Sequence, residues 1–429
     1  MLKQRLGYWT SRVLLATGFD LHGWLRRLTG ASPFTLAQPE IGLRSVSSPD
    51  HHVFFGYYDV TPFSPDERLL LAARVARTCH VPAPGVELEV GFYEWQSDSP
   101  PFHPLGTTTS WCWQQGCRLQ WFPGREGRTI LYNRLGLGRY ECVVQPIQDR
   151  SEIQTYSRPL YAVSPDGRWG FSLNFSRLHR LRPGYGYTGL DDATVGDLAP
   201  GSDGLWRVDL ETGESNLLIS LAEMAEFEAH ESMRGAEHYF NHVCVNPASD
   251  RLMFFHLWGR GAQRKSRLVT CNLEGGERCI LSNEGHVSHY TWKNSRELLV
   301  YSTHAETGTG FHLYIDQTDQ RTPLGREELR EDSHPSYSPG GRYLLLDSYP
   351  NGYRRQHLFL FDNQQQRRIP LAAFYAPVRF DETVVRCDLH PRWSPTGRYL
   401  CVDSVCPGRR ALFVLDLHPI ATLLKGTNS

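Results

Sequence analysis

The phrase His334-Pro-Ser-Tyr-Ser-Pro-Gly-Gly-Arg-Tyr-Leu-Leu-Leu-Asp347 constrains this chain more than any other stretch. A short apolar run enters Ser-Pro-Gly-Gly and a second alternating run leaves it. Proline presets φ for a turn and glycine supplies the positive φ that closes it, so the phrase reads as a β-hairpin. Close copies stand at Thr61-Pro-Phe-Ser-Pro-Asp-Glu-Arg68, Tyr161-Ala-Val-Ser-Pro-Asp-Gly-Arg168 and His390-Pro-Arg-Trp-Ser-Pro-Thr-Gly-Arg398. Looser ones are Arg118-Leu-Gln-Trp-Phe-Pro-Gly124, His242-Val-Cys-Val-Asn-Pro247 and His289-Tyr-Thr-Trp-Lys-Asn294. Seven copies at intervals of roughly forty to eighty residues have the period of propeller blades, not of helical arrays.

The spacing predicts an all-β chain, a seven-bladed β-propeller over residues 41–419 of the 429. Residues 1–40 are expected to be a short N-terminal helical extension and linker, and 420–429 a C-terminal tail. Residues 221–237 are rich in Ala, Glu and Met and read as a helical insertion between blades three and four. The last blade offers three strand candidates, around Pro391–Trp393, Tyr399–Ser404 and Leu412–Leu417. An open edge leaves unpaired backbone groups. The stretch Ile41–Ser47, within a closing segment of about 41–53, is therefore expected to complete that blade.

Forty-five cations against 46 acids leave a net charge of −1, which gives no global electrostatic case for nucleic acid. Eleven Trp and 12% aromatic residues fit sheets packed face to face, and equally fit sugar-stacking surfaces. The ten cysteines form no C-x-x-C pair, and several lie in strand-like runs, so they read as reduced core cysteines of a cytoplasmic protein. Residues 1–28 mix Lys3, Arg5, Arg12, Arg26 and Arg27 with Leu and Trp, without a run long enough to span a bilayer. A helix packed on the propeller is the first reading of that segment, and peripheral contact with a membrane surface the second.

Aligning the seven phrases on the turn residue makes the position four upstream informative. Blades four to seven give His242, His289, His334 and His390, while blades one to three give Val60, Arg118 and Leu160. Imidazole is the commonest metal ligand and titrates nearest neutrality, so four at one register point to a metal site, a general-base site or both. Tyr58, Asp59, Asp332 and Asn241 lie one or two residues before these positions, and Gln114, Gln115 and Arg118 form an amide and cation cluster. Arg177, Arg182, Tyr185 and Tyr187 read as a cationic and aromatic lip able to clamp a carboxylated sugar. An exposed loop or a structural cap accounts for the same residues without chemistry.

With these residues assembled, the chain resembles the seven-bladed β-propeller polysaccharide lyases: the oligogalacturonate lyases and, more loosely, the ulvan lyases. The resemblance is clearest over residues 238–360, in Asn241-His-Val-Cys-Val-Asn-Pro247, Leu252-Met-Phe-Phe-His256, His289-Tyr-Thr-Trp292 and Asp332-Ser-His334. It implies His242 as base, with His289 and His334 holding a divalent ion: manganese first, zinc or calcium as alternatives. His390 or Asp332 would complete the set. The family's glutamine ligand has no counterpart here, and Gly56-Tyr-Tyr-Asp59 with Trp113-Gln-Gln115 sets the first half apart. Ulvan lyases use a Tyr and an Arg, roles that Tyr161 and Arg177 loosely match. The implied activity is β-elimination in a uronic-acid polysaccharide or oligosaccharide, with Arg118, Gln115, Tyr58, Arg182 and Tyr185 contacting the glycan. The competing reading is a non-catalytic glycan-binding or scaffold propeller in polysaccharide biosynthesis.

Overall fold

The recurring phrase folds as one turn built several times over. In the computed structural model, which describes residues 20–420 except 126, 149, 150, 152, 153, 382 and 383, each turn serine returns its hydroxyl to the chain five residues on. Ser64, Ser164, Ser338 and Ser394 Oγ accept from the N–H of Leu69, Trp169, Tyr343 and Tyr399 at 3.0, 2.9, 3.1 and 3.0 Å. Three residues after each serine the backbone turns left-handed, with φ of 73° at Gly167, 73° at Gly341 and 75° at Gly397. Blade one puts Glu67 there at φ 58°. Its carboxylate recovers part of that cost by accepting from the N–H and hydroxyl of Thr396, both at 2.7 Å. The looser copy Asn246-Pro-Ala-Ser249 uses the same geometry, with Ser249 at φ 59°.

Each such turn joins two neighbouring strands of one sheet, and seven antiparallel sheets make up the all-β architecture of a seven-bladed β-propeller. The inner-to-outer strands run consecutively in most blades, such as His238–Val245, Arg251–Trp258, Lys265–Asn272 and Cys279–Ser282 of blade four. The chain divides into two compact units, Met1–Val81 with Phe92–His103 and Glu331–Ser429, and Pro82–Gly91 with Pro104–Arg330. In the first unit, Leu345, Leu358, Leu360, Phe374, Leu400, Val402 and Phe413 pack as a core of side chains at most 3% exposed. In the second, Phe171, Leu205, Val243, Leu252, Phe254 and Val269 do the same, each fully buried.

In the first unit, Gly42–Val46 pairs antiparallel with Ala411–Asp416 and gives the last blade its fourth strand. Phe34–Leu36, within the stretch read as linker, adds a fifth strand to blade six by pairing with Phe374–Ala372. Three residues are too short for a period-2 signal to register in sequence. Helix Leu21–Thr29 precedes both, and residues 1–19 of the expected extension lie outside the described residues. In the second unit, the insertion forms helix Leu221–Glu226, opened by a capping box between Ser220 and Glu223, and a 3-10 turn at Glu231–Met233. Blade three carries a further helix, Phe175–Leu181, capped by Asn174. Among the described residues no helix is long and apolar enough to cross a membrane.

None of the ten cysteines is joined in a disulfide. Burial pushes the thiols of Cys112, Cys117, Cys271, Cys387 and Cys401 up to about 12, so they fill space instead of serving as nucleophiles or thiolate ligands.

Candidate functional sites in the two units

The register position that sequence picked out has unusual backbone. Arg118, His242 and His390 adopt φ of 58°, 56° and 43°. The register of blade four shifts between Asn241 and Cys244, and that of blade five between Val287 and Tyr290. Bulges re-aim a side chain out of the ladder, and non-glycine residues hold positive φ only where their surroundings enforce it.

In the first unit this geometry brings His334 and His390 together, with ring centroids 4.5 Å apart. Both are buried, and so is Asp388. One ligand atom from each of the three lies within 4.8 Å of the other two. His334 Nδ1 donates to Asp347 Oδ1 and Oδ2 at 2.9 Å, and its backbone N–H reaches Oδ1 at 2.9 Å. His390 Nδ1 donates to the Gly56 carbonyl at 2.7 Å. Each ring is thus held from behind by an acceptor on Nδ1, the arrangement that fixes a metal-ligating histidine with Nε2 forward. Burial lowers the pKa of His334, but the carboxylates of Asp347, Asp388 and Asp332 outweigh it and leave it raised.

The loop Phe55–Tyr58 is tied to the same place. Arg392 donates through Nε to the Tyr57 carbonyl at 2.9 Å, and through Nη2 to Gly56 O and to Asp403 Oδ2. Asp403 Oδ1 accepts the Phe55 N–H at 3.0 Å. This sets the Tyr58 ring 5.2 Å and the Tyr57 ring 6.3 Å from that of His334. Arg386 pairs with Asp388 at 2.9 Å and lies over Tyr349, whose ring is 6.0 Å from that of His334. Sequence reasoning missed Asp388. The signal was available, because Asp388-Leu-His390 repeats the spacing of Asp332-Ser-His334.

In the second unit seven of the candidate residues share one network. Tyr161 Oη accepts from Gln115 Nε2 at 2.6 Å and donates to Asn241 Oδ1 at 3.1 Å. Arg118 donates to the Tyr161 carbonyl at 2.8 Å and lies over its ring. His242 Nδ1 is 3.4 Å from Tyr161 Oη, and His242 Nε2 is 3.3 Å from Arg182 Nη1. Arginine has no acceptor, so Nε2 carries the lone pair and Nδ1 the hydrogen, directed at Tyr161. Arg182 lies 4.0 Å over the Tyr185 ring, which meets that of His242 edge-on at 5.7 Å. Gln115 Oε1 and Asn241 Nδ2 are buried and without a hydrogen-bond partner among the described residues.

Two candidates lie elsewhere in this unit. Arg177 sits in helix Phe175–Leu181, 1% exposed, and donates to the carbonyls of His238, Asp197 and Leu198 and to Thr194. His289 is buried, with Nδ1 3.3 Å from Ser288 Oγ.

Fold and sites together define a β-propeller with two histidine-centred clusters. Two solved structures of similar fold are an oligogalacturonate lyase from Vibrio parahaemolyticus and an oligogalacturonate lyase in complex with manganese. The first is 13% identical, covers 90% of this chain and 96% of its own, and gives a TM-score of 0.58. The second is 15% identical, covers 89% and 96%, and gives 0.59. The β-propeller domain of the trilobed protease from Pyrococcus furiosus matches at 10% identity over 86% and 94%, with a TM-score of 0.48. Likeness at this identity shows a fold and no activity. No family model and no curated protein matches the chain.

Proposed function

We propose that this protein is a polysaccharide lyase that cleaves a uronic-acid glycan by β-elimination. The observation that carries the reading is the line Arg182–His242–Tyr161 in the second unit: a neutral imidazole with an assigned tautomer, its lone pair facing a guanidinium. Arg182 is the half-exposed member and His242 is buried behind it. When Arg182 turns to a substrate carboxylate, it uncovers His242 Nε2 and neutralises the group that acidifies the C5 hydrogen. His242 Nε2 takes that proton, the C5 electron pair forms the C4–C5 double bond, and the C4–O bond breaks. The proton then returns to the departing oxygen. Tyr161 and Asn241 hold the imidazole from behind. Gln115 Oε1 and Asn241 Nδ2, one acceptor and one donor, match what sugar hydroxyls supply.

His334, His390 and Asp388 fit a divalent ion, because both imidazoles are oriented by Nδ1 acceptors and a carboxylate completes the set. Bound there, an ion such as manganese supplies Lewis-acid charge to an anionic ligand. The likeness to a manganese-bound oligogalacturonate lyase supports this choice.

The test is ultraviolet absorbance of the unsaturated product from a panel of uronate polymers, with and without manganese. Wild type is expected to give signal and His242→Ala none. Silence of wild type on every polymer, or full activity in His242→Ala, overturns the reading. A wild type that gives no turnover yet binds saccharide, with binding that survives His242→Ala, favours a glycan-binding propeller instead.

A further inference from the structure

Helix Leu21–Thr29 turns its apolar stripe the wrong way for a helix of a globular domain. Leu21, Trp24, Leu25 and Leu28 follow the i, i+3, i+4, i+7 spacing of one amphipathic face. That face is normally laid on the core. Here Trp24, Leu25 and Leu28 are 44%, 42% and 65% exposed, and the one buried helical residue is Gly23. The protein is met on the glycine side. A Cβ on Gly23 would fall 2.8 Å from the Tyr375 hydroxyl and 2.4 Å from Asp20 Oδ2, so a larger residue would have to displace the side chains that anchor the helix. The helix is anchored there by Asp20, which accepts from the Tyr375 hydroxyl and caps the Gly23 N–H at 2.9 Å. Arg26 lies over the Tyr375 ring. Tyr353, 54% exposed, joins the patch through an edge contact with His22.

Charge selects the occupant. Residues 1–30 hold five cations and one acid, a balance of +4, so the remaining 40 cations and 45 acids carry −5. The single acid, Asp20, is engaged by Tyr375 and Gly23, whereas Arg27 stands exposed beside Leu28. An apolar stripe with Trp, flanked by arginines within a locally cationic segment, matches an anionic bilayer surface. A second copy of the chain would meet the same cations with its own. We propose that this helix seats the protein on anionic membrane lipid, with Trp24, Leu25 and Leu28 entering the interface and Arg27 meeting headgroups. This inference is independent of the lyase reading.

The experiment is co-sedimentation of the full chain with vesicles of phosphatidylcholine, with and without phosphatidylserine. Binding is expected only with phosphatidylserine, weakening as salt rises. The double variant Leu25→Glu, Leu28→Glu is expected to lower the partition coefficient at least about tenfold, and Arg27→Glu to lower it several-fold. Melting temperature should be unchanged, because these side chains make no core contact. Equal binding to neutral vesicles, no binding to either, or an unaffected double variant overturns the proposal. So does a dimer in light scattering that the double variant dissolves.

Discussion

Replacing His256 by glutamine should flatten the acid limb of this protein's stability curve without lowering its neutral stability. His256 is fully buried in blade four. Its Nδ1 accepts from Arg267 Nε at 3.0 Å, and its Nε2 meets His238 Nδ1 at 2.8 Å. His238 Nε2 in turn donates to the Met233 carbonyl at 3.2 Å. With a cation at one end and a carbonyl at the other, both rings are neutral and each tautomer is fixed. Burial first, then Arg267 and His238, hold His256 well below its ordinary 6.5. Below that pH the unfolded chain takes a proton that the folded one refuses. Stability is therefore full above 6.5 and lost as pH falls under it, by up to about 1.4 kcal/mol per pH unit for one group. From about pH 7.5 to 5.5 the integrated loss is about 1.4 kcal/mol. A glutamine carbonyl can accept from Arg267 and its amide can donate to His238, with nothing to titrate. His334, whose pKa is raised, acts in the opposite direction, but equally in both proteins, and cancels in the difference. Urea-unfolding free energies across this range should show the His256→Gln curve flatter by about 1.4 kcal/mol, with the two proteins within about 1 kcal/mol at the alkaline end. Parallel curves would refute the reasoning, because they require His256 to be protonated in the fold or its tautomer to be otherwise.

Asp347→Asn removes the charge behind His334 while keeping the shape, and should weaken manganese binding measured by titration calorimetry about 10- to 100-fold. Unchanged affinity would mean that the ion sits elsewhere. Two glycines of the recurring turn should also separate strain from collision. Gly340→Ala, at φ 83° with nothing within 4 Å of the added Cβ, should cost about 1 kcal/mol. Gly167→Ala, at φ 73° with Pro123 O only 2.4 Å from that Cβ, should cost at least about 1 kcal/mol more. Equal losses in thermal unfolding would contradict this.

The blades were legible because their turn chemistry is local. Ser164, Pro165 and Gly167 determine a hydroxyl bond and a left-handed residue within six positions, and the eye finds the same pattern at Ser338 and Ser394. Phe34–Leu36 was not legible, since its partner Phe374–Ala372 lies some 340 positions away and three residues carry no period. Helix Phe175–Leu181 was legible in principle: Asn174 is an N-cap, and Phe175, Leu178 and Leu181 recur at helical spacing on its buried side. The glycine-rich run after it drew the reading toward a loop. The sites divide along the same line. The upstream register found His242, His334 and His390 because the repeat itself marks that position. Arg177 shows where such reading stops. An exposed clamp and a buried strut have the same letter, and only the carbonyls of His238, Asp197 and Leu198 around its guanidinium tell which it is. Asp388 shows the converse: the Asp-x-His spacing recurs at the same register position of blades six and seven, and its meaning rests on His390 standing 4.5 Å from His334. Repeats fix which positions are equivalent; the long-range contacts of those positions decide which of them can do chemistry.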